Sequence, residues 1–232
     1  VVIEEKLPVY AAGLGNPAPW MERLRANGTK VMTVVGAVRH TVKVSSAGVD
    51  AIVAQGHDAG GHNSPVGSMA LIPQVVDAAN GIPILGAGGI SDGRGIAAAF
   101  MLGAEGAWIG SAFLASEEAD IFDHQKQAII DSTEEGTVIS RSVTGKPARI
   151  IRSAWTDFWE RSELDPLPMP FQSGVAGPVL QSANKDKRKD INPGFAGQGI
   201  GMIKSVRPAE EIMADLIEGM ERTLKDSAKM YD

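Results

Sequence analysis

Short apolar runs recur along the first half of the chain, separated by stretches in which apolar and polar residues alternate at helical spacing. The runs Leu7–Leu14, Lys30–Gly36, Asp50–Gln55, Pro83–Ala87 and Ala107–Phe113 are brief, apolar and end at or near glycine. That is the pattern of parallel strands covered on both faces. The intervening PAPWMERLRANG, VRHTVKVSSAG, SMALIPQVVDAANG and SDGRGIAAAFMLGA read as helices. Three of them close on a helix C-cap signature, Asn27-Gly28, Ala47-Gly48 and Asn80-Gly81, and the fourth nearly so at Leu102-Gly103. Ser91 or Asp92 suits the N-cap of that fourth helix.

Consecutive βα units with right-handed crossovers leave two architectures, a doubly wound sheet or a (β/α)8 barrel. Glycine at the C-terminal end of almost every strand favours the barrel, which builds its site at that face. The expected fold class is α/β, a (β/α)8 TIM-barrel type with about five βα units, hence an incomplete barrel, plus a small helical subdomain. Residues 1–6 read as the end of a helix, so the pattern opens inside a repeat. At roughly 30 residues per unit, about three further units are expected upstream of Val1. The expected division is 1–116 for the partial barrel, 117–200 for a helical subdomain or insertion, and 201–232 for a C-terminal helix packing back on the barrel. Within the second part, 117–131 reads as a helix, Trp155, Phe158 and Trp159 as its core, and KDKRKD at 185–190 as a solvated charged segment. Pro208–Met230, acidic early and basic late, is a final amphipathic helix. The methionines fall mostly at helical core spacings.

Composition narrows the function classes. Apolar residues make up 44% and charged residues 22%, ordinary for a globular protein and unlike a disordered, coiled-coil or collagen-like chain. No apolar run reaches the ~18 residues of a membrane-spanning helix. With 0 cysteines there is no disulfide framework, thiol nucleophile or thiolate metal site. A net charge of −6 argues against a nucleic-acid partner. Nothing at Val1 resembles a secretory signal, and a cytoplasmic location is expected. Glycine stands out: 27 of 232 residues is about 12%, against ~7% typically. Much of it falls between residues 56 and 110.

Two glycine sites follow consecutive strands. Gly86-Ala87-Gly88-Gly89-Ile90 opens the helix behind Ser91 and Asp92, and Trp108-Ile109-Gly110-Ser111 ends the next strand. Glycine lets backbone N–H groups approach an anion, and a helix N-terminus adds positive partial charge. Either site alone could be a tight turn; paired on adjacent units they suit the phosphate cup of the last two barrel strands. The other dense segment is Gln55-Gly56-His57-Asp58-Ala59-Gly60-Gly61-His62-Asn63. His62 is the natural general base there, since imidazole titrates nearest neutral pH; the alternative is a structural loop histidine. His57, Asp58 and His62 straddle a flexible glycine pair with no fourth ligand, so no metal site is expected. His40 and His124 read as surface or packing residues, and Ala196-Gly197-Gln198-Gly199-Ile200-Gly201 as a turn. Walker and H-E-x-x-H motifs are absent.

The segment QGHDAGGHN resembles the signature of the nitronate monooxygenase family, formerly called 2-nitropropane dioxygenases. The likeness continues through GAGGISDGRGIAAAFMLGAEGAWIGSAFLASEEA and TGKPARIIR. It implies an FMN-dependent (β/α)8 barrel with a small helical domain that oxidises alkyl nitronates with O2 to carbonyl compounds and nitrite. Carried across, His62 matches the catalytic histidine. Gln55 and Gly60 match FMN contacts, Gly88 and Gly89 the first phosphate loop, and Trp108, Ile109, Gly110 and Ser111 the second. Asp58 stands where glutamate is usual, and Asn63 where a basic or small residue is frequent. The family's opening strand, with its glycine-rich, methionine-containing turn and a later asparagine, has no counterpart here.

The implied partners are a small nitronate and O2, with no nucleic acid and no membrane. A five-stranded arc leaves an open parallel edge, prone to pair with another chain, so a homo-oligomer is one expected outcome. Alternatives are a flavin-dependent NAD(P)H reductase of the enoyl-acyl carrier protein or quinone type, which shares the acid-Ala-Gly-Gly-His run, a non-flavin barrel binding a phosphorylated metabolite, and an inactive fragment.

Overall fold

A computed structural model of the chain describes residues 1–230. Its elements run β1 (Val9–Ala12), α1 (Met21–Ala26), β2 (Lys30–Val35), α2 (Val38–Ala47), β3 (Ala51–Gln55), β4 (Gly61–His62), α3 (Ser68–Ala78), β5 (Ile84–Ala87), α4 (Gly93–Met101) and β6 (Gly106–Trp108). They continue with α5 (Ser111–Leu114), α6 (Asp123–Ile130), β7 (Thr137–Ser140), β8 (Ala148–Ile151), α7 (Ala154–Arg161), α8 (Phe171–Lys185) and α9 (Ala209–Ala228). The chain divides into two compact units. One comprises Val1–His57, Ser64–Ala87 and Ile96–Trp108; the other comprises Asp58–Asn63, Gly88–Gly95 and the chain from Ile109 onward.

The first unit is a parallel α/β sheet in the order β1-β2-β3-β5-β6. The strands neighbour one another in chain order with no reversal. That is the succession of barrel βα units; a doubly wound sheet switches direction part-way. Register carries the strand ends to one level: Gln55 lies opposite Ala87, and Ala87 opposite Trp108. The five expected strands are all present within one or two residues, except at the last. Ala107–Phe113 was expected as one strand, but β6 stops at Trp108, Gly110 leaves the extended region at φ −108 and ψ −66, and the chain coils into α5. The capping glycines take the expected left-handed φ: Gly28 +77, Gly48 +76, Gly81 +81 and Gly103 +92. Asp92 caps the fourth helix, its Oδ1 accepting from Arg94 N at 3.0 Å and Gly95 N at 3.2 Å. The core is aliphatic. Ile52 and Val53 of β3 are fully buried, and so nearly are Leu71, Ile72 and Val75 of α3. Each such side chain contributes about 1.5–3 kcal/mol by leaving water. The opening residues form one turn closed by Glu5 N to Val1 O at 2.8 Å, and Lys6 at φ 49 ends it.

The second unit departs further from its expected form. The stretch 117–200 reads as helical, but it also carries β7 and β8, which pair antiparallel with each other, while β8 pairs with β4. TVIS and ARII are four-residue runs, small and β-branched but for Arg149, and too short to announce a strand by periodicity. The helix expected over 117–131 is confined to Asp123–Ile130. Glu117 instead donates its N–H to Arg207 O at 2.9 Å, and the Glu118 carboxylate accepts Ala209 N at 2.8 Å, closing the start of α9. Trp155 and Trp159 pack together with ring centres 5.9 Å apart, whereas Phe158 is 58% exposed and is not core. Nor do the methionines fill the core: Met21 is buried, while Met69, Met101, Met169, Met202, Met213 and Met230 are exposed. α9 crosses the first turn of α4 at backbone distance; a Cβ on Gly93 would fall 2.2 Å from Met220 N. In KDKRKD, Arg188 pairs with Asp190 and Lys189 with Asp131, all largely in solvent.

Candidate functional site

In the second unit, three short segments converge on one loop. Ala196–Gly199 lies against the Asp58–Gly60 turn, the Gly89–Ser91 turn and Ser111. Gln198 N donates to Asp58 O at 2.8 Å, and Gly197 N donates to Ser111 Oγ at 2.8 Å. The approach is too close for side chains. A Cβ on Gly199 would stand 2.3 Å from Ser91 Oγ and 2.6 Å from Gly89 O, and one on Gly60 would stand 2.7 Å from the Ala196 carbonyl carbon. Glycine at 60, 197 and 199 is therefore a packing requirement. AGQGIG, read from sequence as a turn, is the hub of this region. No regular strand precedes it, and its partners are backbone atoms far away in the chain, so no local pattern marks it.

Gly88 and Gly89 turn the chain with φ +106 and +72, two consecutive left-handed residues that only glycine adopts without strain. Side chains added at Gly110 or Gly61 would meet nothing within 4 Å, so open space lies before the backbone there. The Ser111 hydroxyl and the Gly88-Gly89 turn thus border a small polar region, with the Asp58 side chain against Gly89: a Cβ there would stand 3.1 Å from Asp58 Cβ. Through Gly197 and Gly199 the two sequence-predicted glycine loops, 88–89 and 110–111, share one support.

His62 sits on β4, opposite Ala148 of β8. Its Nε2 is 2.8 Å from Thr144 Oγ1 in the β7–β8 turn. Burial lowers its pKa below the ordinary histidine value, and the Lys146 ammonium adds in the same direction. The next β8 residue, Arg149, is 3% exposed and donates from Nη1 to Thr137 Oγ1 at 3.0 Å. Burial pulls its pKa down while the Asp58 carboxylate pulls it up. Asn63 donates from Nδ2 to Ala59 O at 3.3 Å, closing the glycine-rich turn on itself.

The first unit holds the other two predicted contacts. Gln55 ends β3 and Trp108 ends β6, 40% exposed. His57 belongs there too: its Nδ1 is 2.8 Å from Ser64 O, so that nitrogen carries the proton and donates. Among the described residues, no three His, Asp or Glu side chains gather as a metal site would require. His40 is exposed on α2, and His124 stacks on Phe122 at 5.4 Å.

The family profile described as nitronate monooxygenase matches residues 1–219. The chain belongs to the nitronate monooxygenase family. Rv1533 of Mycobacterium tuberculosis (strain ATCC 25618 / H37Rv), whose name places it among monooxygenases, is 43% identical over 226 residues, 94% of this chain and 60% of that protein. A Staphylococcus aureus (strain Newman) protein named for nitronate monooxygenase is 33% identical over 235 residues, 97% of this chain and 66% of its own length. This member of the family therefore spans 60–66% of the length of those relatives. Among solved structures, nitroalkane oxidase from Streptomyces ansochromogenes superposes with a TM-score of 0.87 at 28% identity, covering 97% of this chain and 67% of that one. FabK from Thermotoga maritima gives 0.84 at 33% identity, covering 99% and 73%. No helix among the described residues is long and apolar enough to cross a membrane.

Proposed function

We propose that this chain carries cofactor-holding and proton-managing residues of an FMN-dependent enzyme that oxidises alkyl nitronates with O2 to a carbonyl compound and nitrite. The observation that carries this reading is the convergence of the Asp58–Gly60, Gly89–Ser91 and Ser111 segments on Ala196–Gly199, with His62 on the adjoining strand, in a member of this family. The residues suit a phosphate. Two left-handed glycines, open space before Gly110 and a hydroxyl at Ser111 leave room and polar groups for one, with the Asp58 side chain beside Gly89. Gly60, Gly88, Gly89, Ile109, Gly110 and Ser111 would hold FMN from this unit; Gln55 and Trp108, at the ends of β3 and β6, would add the contacts their family counterparts imply. When bound, FMN supplies the redox chemistry that no side chain of the chain possesses.

The chain's own contribution is proton handling and orientation. A pKa held below the ordinary value keeps His62 neutral near pH 7, the form able to take a proton from the carbon next to a nitro group. Once protonated, the imidazolium can pair with the nitronate oxygens and hold them in place.

The first experiment is a visible absorption spectrum of the purified chain before and after adding FMN, followed by O2 uptake and nitrite release with an alkyl nitronate. Flavin bands and nitrite together sustain the proposal. A colourless protein with excess FMN overturns the cofactor assignment and leaves a phosphate-binding barrel without flavin. The likeness to FabK, at an identity no lower than that to nitroalkane oxidase, keeps one second reading, a flavin-dependent NAD(P)H reductase of the enoyl or quinone type. NADH consumption without nitronate would select it.

A further inference from the structure

The Thr144 hydroxyl reaches His62 across 82 residues of sequence, and the turn that presents it is unusually well anchored. Gly145 N donates to Arg141 O at 2.8 Å, and Arg141 Nε returns a bond to Gly145 O at 3.1 Å. Gln172 of α8, fully buried, donates to Ser142 O at 2.7 Å and accepts Leu167 N at 2.9 Å. A Cβ on Gly145 would fall 2.3 Å from Leu167 O, so the turn is pressed onto the segment leading into α8. A buried amide with both ends engaged is costly to disturb, which fixes the turn and with it the hydroxyl.

We infer that Thr144 is a positioning residue for His62: presented by this buttressed turn, its hydroxyl holds the imidazole in one orientation and one tautomer. Thr144 Oγ1 has two further partners in its own turn: it accepts the Lys146 N–H at 3.4 Å, and it lies 3.3 Å from the Lys146 carbonyl, which can only accept. The hydroxyl proton goes to that carbonyl. Oγ1 is left as the acceptor for His62 Nε2–H, and the basic lone pair is placed on Nδ1. Of the charged groups on the packed elements, Lys146 from the same turn acts on the ring, while Arg149 of β8 stands opposite Gly61 and interacts with the Asp58 carboxylate. The Lys146 ammonium and burial work with the hydroxyl, keeping the ring neutral so that the tautomer matters. The device deepens the proposed function, resting on His62 as the base for its catalytic consequence but not for its structural one.

The test uses the full chain with 15N-labelled histidine. Only 4 histidines are present, so the His62 ring nitrogens can be assigned by loss of signal in His62→Gln. Wild type should show a single Nε2–H tautomer at pH 8. Thr144→Val should bring the two ring nitrogen shifts together as both tautomers populate, and Thr144→Ser should restore the separation. If Thr144→Val does not fold, Thr144→Ala removes the hydroxyl by deletion alone and is read the same way. Ring shifts identical in wild type and the hydroxyl-free variant overturn the inference. Turnover separates this failure from that of the function: with a neutral nitroalkane, whose α-proton the base must take, Thr144→Val should lower kcat about tenfold with KM little changed. A tautomer that shifts in a chain that never releases nitrite leaves the positioning intact and rejects the reaction. Nitrite release with an unmoved tautomer does the reverse.

Discussion

Two histidines stand five residues apart in one glycine-rich segment, and the structure treats them differently. His57 closes the loop around Ser64 to Val66. Its ring donates to Ser64 O at 2.8 Å and its backbone N–H to Val66 O at 2.7 Å, both carbonyls that can only accept. His62 meets a hydroxyl, which can accept or donate, in surroundings where burial and the Lys146 cation lower its basicity. The His57 ring is tied through Nδ1 to a main-chain carbonyl of its own loop, whereas the His62 ring is held through Nε2 by a side-chain hydroxyl from a distant turn. Partner chemistry, not residue type or position in the motif, sorts the structural histidine from the candidate base.

The widest separation between the two should appear in turnover. His62→Ala should reduce oxidation of a neutral nitroalkane, which must first lose its α-proton, about 10²–10⁴-fold while flavin absorbance is retained, the range expected for loss of a general base. His57→Ala should stay within a few-fold of wild type. Equal turnover in His62→Ala and wild type, measured by nitrite release at saturating nitroalkane, removes the assigned role.

Next in size comes the support beneath the candidate site. Gly199→Ala forces a methyl to 2.3 Å from Ser91 Oγ and 2.6 Å from Gly89 O. The loop must shift, at a cost of about 1–3 kcal/mol typical of overpacking. Because Gly89 is displaced, weakened FMN binding should accompany the lower melting temperature. Gly174→Ala, on α8 with nothing within 4 Å, is the control and should lose neither. FMN titration and thermal melts of the two variants side by side decide it.

What was legible in the sequence follows the same division between local and distant causes. The strands of the parallel sheet, the capping glycines, the Asp92 cap and the GHDAGGHN segment are all written within a few adjacent residues, and the matching family name rests on them. Thr144 escaped because its partner lies in a strand of two residues, Gly61–His62, paired across the chain to β8. Ala196–Gly199 escaped because its partners are main-chain atoms, which carry no sequence signature. IGSAF was misread as strand because β6 and α5 join at Gly110 without a polar break. Hydrophobicity marks Trp155, Phe158 and Trp159 as side chains that can be covered, but not that anything is there to cover Phe158.

A smaller effect isolates the structural histidine. His57→Ala removes the donor to Ser64 O, and a net loss of about 1 kcal/mol is expected for one hydrogen bond. For a chain of this size that lowers the melting temperature by about 2–4 °C. His62→Ala should cost less stability and far more activity, and the reverse ordering in paired melts and assays would exchange the two roles.

The smallest expected effect is the pH dependence of stability that His62 contributes. The folded pKa of His62 is lowered, so between that value and the unfolded value near ~6.5 the unfolded chain binds more protons than the folded one. The contribution from His62 is therefore full above pH ~6.5 and is lost as the pH falls through the folded pKa. Denaturant melts at pH 8, 6.5 and 5.5 should show this slope in wild type and a shallower one in His62→Gln. Lys146→Gln should also be shallower, since removing the cation lets the imidazole protonate at a higher pH. If His62→Gln keeps the wild-type slope, the acid sensitivity lies in other groups and the ring is less shielded than its place on β4 implies.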